Sequence, residues 1–208
     1  MRIAFLPITP LIIPEIAGGA AAELDHLRDA AREATDWVCT DARSVGVLVP
    51  GTATTSDEQW SLHGYGLTVG HGPPVPLAVA VARWLLDGRP ADVHGSEDHG
   101  ADLSGHDGLL VMGDGSAART DKAPGHFHPG AVDFDTQVLV AIGVGDAPAL
   151  AGLDLSKGAE VLAAGVPAWQ RLGRMVGKVT SSAVDAQEDR YGVLYFVARW
   201  TAAWAAPA

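Results

Sequence analysis

The chain has 208 residues, 48% of them hydrophobic and 19% charged, and a formal net charge of −11 from 14 basic and 25 acidic residues. This composition is typical of a globular domain rather than a disordered chain. The acidic balance excludes nucleic acid and anionic membrane as main partners, because each needs a basic patch. The single cysteine excludes an internal disulfide and a multi-cysteine zinc site.

The amino-terminal stretch MRIAFLPITPLIIPE is apolar but interrupted by prolines, and it lacks the pattern of a signal peptide. No other stretch is long and apolar enough to cross a bilayer. We therefore expect a cytoplasmic protein, with residues 1–208 forming one domain.

Apolar runs alternate with amphipathic segments along the chain. The first run predicts a strand over 2–8, and prolines at 7, 10 and 14 argue against a helix in the next few residues. Apolar residues at steps of three and four predict a helix over 20–39. Further strands are predicted over 45–49, 108–112 and 191–200, with a short one after residue 91. Further helices are predicted over 76–88 and 129–143, with one broken helix or two over 155–177. This alternation predicts a layered α/β domain with a mainly parallel central sheet flanked by helices.

Ligands of open α/β sheets bind where parallel strands end. Three strand exits, with the sequences PITP, VPGTATTS and MGDGSA, should therefore meet at one edge of the sheet. Their polar side chains predict a small-molecule pocket that contains Thr9, Thr52, Asp114 and Ser116.

Histidines supply further candidates. His126 and His128 would share one face of the HFH segment if it is extended, so both join the predicted pocket. His94, His99 and His106 lie among acidic residues at spacings that match no rigid ligand set, which predicts a solvated acidic loop.

Two motifs after the third strand are incomplete. The GDGSAA segment fits a dinucleotide fingerprint, but Pro124 and Gly125 argue against the helix that must follow it. A nucleophile elbow fails because Ala118 stands where glycine is needed. No Ser-His-Asp triad can be assigned from the sequence.

The order of these segments resembles a known family. The segments occur in the order PITPLIIPE, VPGTA, PLAVAVARWLLDG, GDGSAARTDKAPG, DFDTQVLVAIGVGD and YGVLYFVARW. This order resembles that of the B-type class III extradiol ring-cleavage dioxygenases, whose superfamily also holds the Memo-like proteins. The resemblance covers nearly the whole chain. It implies the fold of those proteins and, for active members, cleavage of catechol-like rings by a non-haem iron held by His and carboxylate ligands.

The resemblance also implies that this chain has lost the iron site. Ile8 and Gly51 occupy positions that match two histidine ligands, and Ala117 occupies that of the acid/base histidine. The third ligand should fall within LAAGVPAW, which offers no acid or cysteine. None of these residues can bind iron or carry a proton. The resemblance leaves Asp114, Ser116, Pro124, Gly125 and Asp135 as residues that shape the third loop.

We therefore expect no metal and no cofactor, and predict a protein without ring-cleavage activity that acts as a small-ligand-binding or partner subunit. A homodimer is the expected assembly. Two enzyme alternatives stay open. One is a metal-dependent enzyme with a relocated site built from His126, His128 and Asp114 with His63 or His71, acting on a small aromatic or cyclic substrate. The other is a metal-independent enzyme that uses Asp114, Ser116 and a histidine for acid/base catalysis.

Overall fold

A computed structural model describes residues 1–53 and 59–206. Its strands are β1 Arg2–Leu6, β2 Val45–Val49, β3 Trp60–Ser61, β4 Gly70–His71, β5 Asp92–Gly95, β6 Gly108–Met112, β7 Val176–Glu188 and β8 Tyr195–Trp204. A six-stranded, mostly parallel sheet forms the centre, in the spatial order β5-β2-β6-β1-β8-β7. The first four of these strands are parallel, whereas β8 is antiparallel to both β1 and β7. A separate two-stranded ribbon pairs β3 with β4.

Helices cover both faces of the sheet, as the alternating sequence pattern predicts. The α-helices are α1 Pro14–Ala17, α2 Asp25–Cys39, α3 Leu77–Leu86, α4 Ala131–Val144, α5 Ala147–Ala151, α6 Leu155–Glu160 and α7 Val166–Met175. One hydrophobic cluster joins the sheet to α2 and α3, and a second joins its other face to α4, α5 and α7.

The central strands are apolar throughout because helices cover both of their faces. In β6, Leu110 and Met112 pack into the α2/α3 cluster, whereas Leu109 and Val111 pack into the opposite one. Successive side chains of a strand point to opposite faces, so a run of apolar residues serves both clusters. The strands predicted over 45–49 and 108–112 are confirmed.

The amphipathic helix predicted from residue 20 begins as an α-helix at Asp25, after a 3₁₀ segment over Gly18–Leu24. The guanidinium of Arg28 in its first turn donates to the carbonyl oxygens of Ile12 at 2.6 Å and Ala21 at 2.9 Å. Those two bonds hold the incoming chain against the first turn of α2.

The prediction that the proline-rich segment contains no helix is wrong in part. A 3₁₀ turn covers Pro10–Ile12, and the four-residue helix α1 covers Pro14–Ala17. Each begins at a proline. The N–H groups of a first helical turn have no acceptor within the helix, so proline loses no hydrogen bond there, and its fixed φ suits a helix.

The sequence pattern predicts no element over residues 178–190, where the structure has most of β7. This 13-residue strand lies at the edge of the sheet and is largely exposed, with three irregularities in its register against β8. An edge strand with a solvated surface needs neither an apolar run nor strict alternation. That is why its sequence carries no clear signal. Among the described residues, no helix has the length and hydropathy needed to cross a membrane.

Candidate functional site

The exits of β1 and β6 meet at one edge of the sheet. β6 lies between β1 and β2, and the three strands are parallel, so their carboxyl ends share that edge as predicted. The backbone N–H of Ile8 donates to Oδ1 of Asp114 at 2.9 Å and joins the first exit to the third. The sheet topology thus places the Asp114 carboxyl group where a ligand of this fold class binds.

Asp114 is the most unusual ionisable group at this edge. The residue is only 9% exposed, and burial raises the pKa of its carboxyl group from 3.8 to about 7, although the Ile8 N–H opposes that rise. Burial disfavours the charged form of a carboxyl group. Near neutral pH this group can therefore either donate or accept a hydrogen bond.

Two further hydroxyl groups, those of Thr9 and Tyr195, belong to this edge. Both residues are buried, and the phenol of Tyr195 lies close enough to Thr9 and Asp114 for both groups to shift its pKa. Burial raises the pKa of Tyr195 to about 12, while the Thr9 hydroxyl lowers it and the charge of Asp114 raises it further. Tyr195 was not among the predicted site residues. It starts β8, and only the antiparallel pairing of β8 with β1 brings it to the edge where β1 ends.

Ser116 has a different environment. It is fully buried, its backbone N–H donates to Oδ1 of Asp135 at 2.8 Å, and its hydroxyl accepts from the Ala118 N–H at 3.1 Å. Arg119 donates to the other carboxylate oxygen of Asp135 at 2.7 Å. These bonds hold the third loop, and the Ser116 hydroxyl is turned toward the backbone of its own loop.

Thr52 lies on the exit of β2 and is exposed. That exit is bonded to β5 instead of β6. The Gly51 N–H donates to the Ser96 hydroxyl at 2.9 Å, and the Ala53 N–H donates to the Asp98 carboxylate at 3.3 Å. Residues 54–58 of the predicted second exit lie outside the described residues.

The two histidines of the HFH segment do not share a face as predicted. His126 is exposed and has a left-handed φ of 57°, so the segment is not extended. His128 is half-buried, and its Nδ1 accepts from the Gly130 N–H at 3.1 Å just before α4. One imidazole thus faces solvent, and the other is bonded to the backbone at the start of a helix.

Positions that the resemblance assigns to the iron site are apolar or lack a side chain. Ile8 and Ala117 are partly buried and pack against the α2/α3 cluster, and Gly51 has a left-handed φ of 78°. Within residues 1–53 and 59–206, no group of three or more His, Cys, Asp or Glu side chains is placed to hold a metal ion. The described residues do not fit the iron that the resemblance implies. His63 and His71, named for a relocated site, are exposed.

The prediction of a solvated acidic loop holds only for His99, which is exposed. His94 lies in β5, and His106 is 7% exposed, with the Nε2 atoms of the two rings 2.9 Å apart. Folding buries His106 because Gly46 leaves room for its ring against β2; a Cβ at that glycine would lie 2.6 Å from the His106 Cδ2. A pattern of local charge cannot reveal that contact.

A cleft of about 510 Å³ opens near the end of β5, next to α7. Its volume is in the range of small-molecule sites. Its polar lining includes Ser96, Glu97, His99, Gln170 and Arg174, together with Arg171. Arg171 donates to the carbonyl oxygens of Gly95 and Ala101, so its side chain holds the β5 exit in place.

Comparison with known proteins finds no family model and no curated protein that matches the chain. The extradiol dioxygenase resemblance therefore stays a prediction that is based on the order of motifs.

Proposed function

We propose that this protein is an extradiol dioxygenase-like protein that has lost the iron site and ring cleavage, and that it binds a small ligand at the carboxyl edge of its sheet. Asp114, Thr9 and Tyr195 would hydrogen-bond the ligand. The observation that carries the proposal is the buried Asp114 carboxyl group with a pKa of about 7, placed where two parallel strands end.

The chemistry of the edge supports a ligand with hydroxyl groups. A carboxyl group near half-protonation and two hydroxyl groups can each donate or accept, and none of them carries a fixed positive charge. Ile8 and Ala117 add apolar surface next to them. A small aromatic ring with hydroxyl substituents matches both properties, whereas a phosphate or carboxylate ligand would lack a cation to pair with.

The proposed loss of the metal site can be tested directly by metal content and by catechol cleavage. We expect the purified chain, incubated with iron(II), zinc or manganese and passed through a gel-filtration column, to retain no stoichiometric metal by plasma mass spectrometry. The variant Ala117→His should remain unable to cleave catechol, because Ile8 and Gly51 still supply no ligand atoms. Near-stoichiometric retained metal, or catechol cleavage by that variant, would overturn the proposed loss of the site.

Ligand binding is tested with catechol as the probe in a nuclear magnetic resonance titration of the isotope-labelled chain. We expect saturable shifts of the backbone amides of Ile8, Thr9 and Asp114. Asp114→Asn should weaken binding about tenfold, the value of one hydrogen bond to a charged or easily charged group. Asp121→Asn, at an exposed position, is the matched control and should bind like the wild type.

Two results would contradict this assignment of the ligand site. One is the absence of saturable shifts at the sheet edge. The other is a set of shifts confined to the lining of the 510 Å³ cleft, around Ser96 and Arg174, which would move the site to the end of β5.

The alternative of a relocated metal enzyme has no supporting observation in the described part of the chain, since His126, His63 and His71 are exposed and do not join Asp114 in a group that could hold a metal ion. Homodimer formation and a cytoplasmic location stay predictions from the sequence.

A further inference from the structure

A second cleft lies at the opposite edge of the sheet, between the beginnings of β2 and β5. It has a volume of about 360 Å³. Ser44, one residue before β2, lines this cleft and is half-buried. Its lining also includes Cys39, Arg43, Arg89 and Asp92. Neither the resemblance nor the proposed ligand site involves this edge.

A chain of three polar side chains begins at Ser44. Its Oγ lies 2.7 Å from Nδ1 of His106, and Nε2 of His106 lies 2.9 Å from Nε2 of His94. With the serine hydroxyl as donor, one placement of the histidine protons makes both contacts hydrogen bonds. Ser44 donates to His106, which carries its own proton on Nε2 and donates that proton to His94.

Packing fixes the middle ring of this chain. His106 is held against the backbone of β2 at Gly46, where any Cβ would overlap the imidazole. His94 reaches it from β5, the neighbouring strand. Burial lowers the pKa of His94, and His106 and Arg171 lower it further, while Asp92 and Asp98 oppose this. A neutral His94 can accept the proton that His106 donates.

We propose that Ser44 is a nucleophile for acyl transfer, with His106 as its general base and His94 as a positioning residue. Ser44 Oγ attacks the carbonyl carbon of an ester in the cleft and passes its proton to Nδ1 of His106. The new C–O bond to Ser44 replaces the bond to the leaving group, which departs with the electron pair of that bond. Such a constellation is identified by geometry and roles, not by sequence order.

The burial of His106 determines the class of ester. The imidazole lies behind Ser44 and can take the serine proton, but it does not line the cleft where a leaving group would depart. Leaving groups must therefore depart without protonation, as phenolates do, which selects aryl esters. Arg43 and Arg89 line the same cleft and offer guanidinium N–H groups to the developing oxyanion, although each already pairs with a carboxylate, Arg43 with Asp107 and Arg89 with Asp36.

Water reaches the buried base as poorly as a leaving group does. Hydrolysis of the acyl-serine needs a base to activate that water. We therefore expect acylation to be faster than deacylation, so that the acyl-enzyme accumulates.

The test uses the full chain and p-nitrophenyl acetate. We expect a burst of p-nitrophenolate close to one equivalent per chain, followed by slow turnover, with one acetyl group on the Ser44 peptide by mass spectrometry. Ser44→Ala should abolish the burst. Gly46→Ala, which keeps both reacting side chains but displaces the imidazole, should slow it at least about tenfold. Ser104→Ala removes an exposed serine from the same region and should leave the burst unchanged.

The positioning role of His94 is tested by the pH dependence of the burst, which would stay the same if His94 only supported the fold. With His94→Gln, the burst should persist, but its pH profile should shift because glutamine cannot share a proton with His106. A profile that superimposes on the wild type would overturn the positioning role. The acyl-transfer proposal would be overturned by acetylation of Cys39 in place of Ser44, or by a burst that survives Ser44→Ala. Circular dichroism of each variant verifies that the fold is kept.

Discussion

Replacing Asp135 by alanine is expected to lower the free energy of unfolding by about 3 to 5 kcal/mol, the usual cost of breaking a buried ion pair on one side. The Asp135 carboxylate is fully buried, and Arg119, which is 13% exposed, is its close partner at 2.7 Å. The substitution leaves a largely buried guanidinium without that carboxylate and the buried Ser116 N–H without its acceptor. Burial raises the pKa of Asp135 in spite of these bonds, so the intact pair is not itself strongly stabilising.

Urea unfolding at pH 7 measures this effect. Asp107→Ala is the matched control, because Asp107 likewise accepts from one arginine side chain and one backbone N–H, but its pair with Arg43 is exposed. That control should cost about 1 kcal/mol or less. Adding Arg119→Met to Asp135→Ala should recover part of the lost stability, since it removes a largely buried charge whose remaining partner, Asp189, is exposed and 3.4 Å away. Equal costs at positions 135 and 107 would show that the buried pair does not hold the third loop.

Replacing Asp114 by asparagine is expected to stabilise the fold at and above pH 7, relative to the wild type. The folded pKa of Asp114 is about 7, and its ordinary value is 3.8. Well below pH 4 the Asp114 carboxyl group is protonated in both the folded and the unfolded chain, so it does not change the free energy of unfolding with pH. Between pH 4 and 7 only the unfolded chain ionises, so wild-type stability falls by about 1.4 kcal/mol per pH unit, reaching about 4 kcal/mol. Asparagine keeps an oxygen for the Ile8 N–H and does not ionise.

This expectation is tested by the free energies of unfolding of the wild type and Asp114→Asn, measured at intervals from pH 4 to pH 8. Their difference should grow in favour of the variant up to about pH 7 and then level off. Asp121→Asn, at an exposed position, should show no such growth. A constant difference across this range, or a variant less stable than wild type at pH 8, would mean that Asp114 is ionised in the folded chain well below neutrality.

The candidate site was predictable only in part. Asp114 and Thr9 could be named because apolar runs predict where strands end, and strand ends collect ligands in this fold class. Tyr195 could not, since its place at the edge depends on the antiparallel pairing of β8 with β1. Ser116 carries the same polar signal as Asp114, yet its hydroxyl bonds its own loop. A polar residue after a strand does not reveal whether it faces a ligand or the backbone.

The layered α/β class, the central apolar strands and the flanking helices can be predicted from the chain alone, because hydrophobic periodicity is a local property. The chain alone also shows that positions 8, 51 and 117, which the resemblance matches to histidines, carry no imidazole. The hydrogen-bonded chain of Ser44, His106 and His94 becomes visible only in the folded protein, and so does the burial that brings the pKa of Asp114 near neutrality. Both depend on contacts between distant segments and on the exclusion of water, and no spacing along the chain records either.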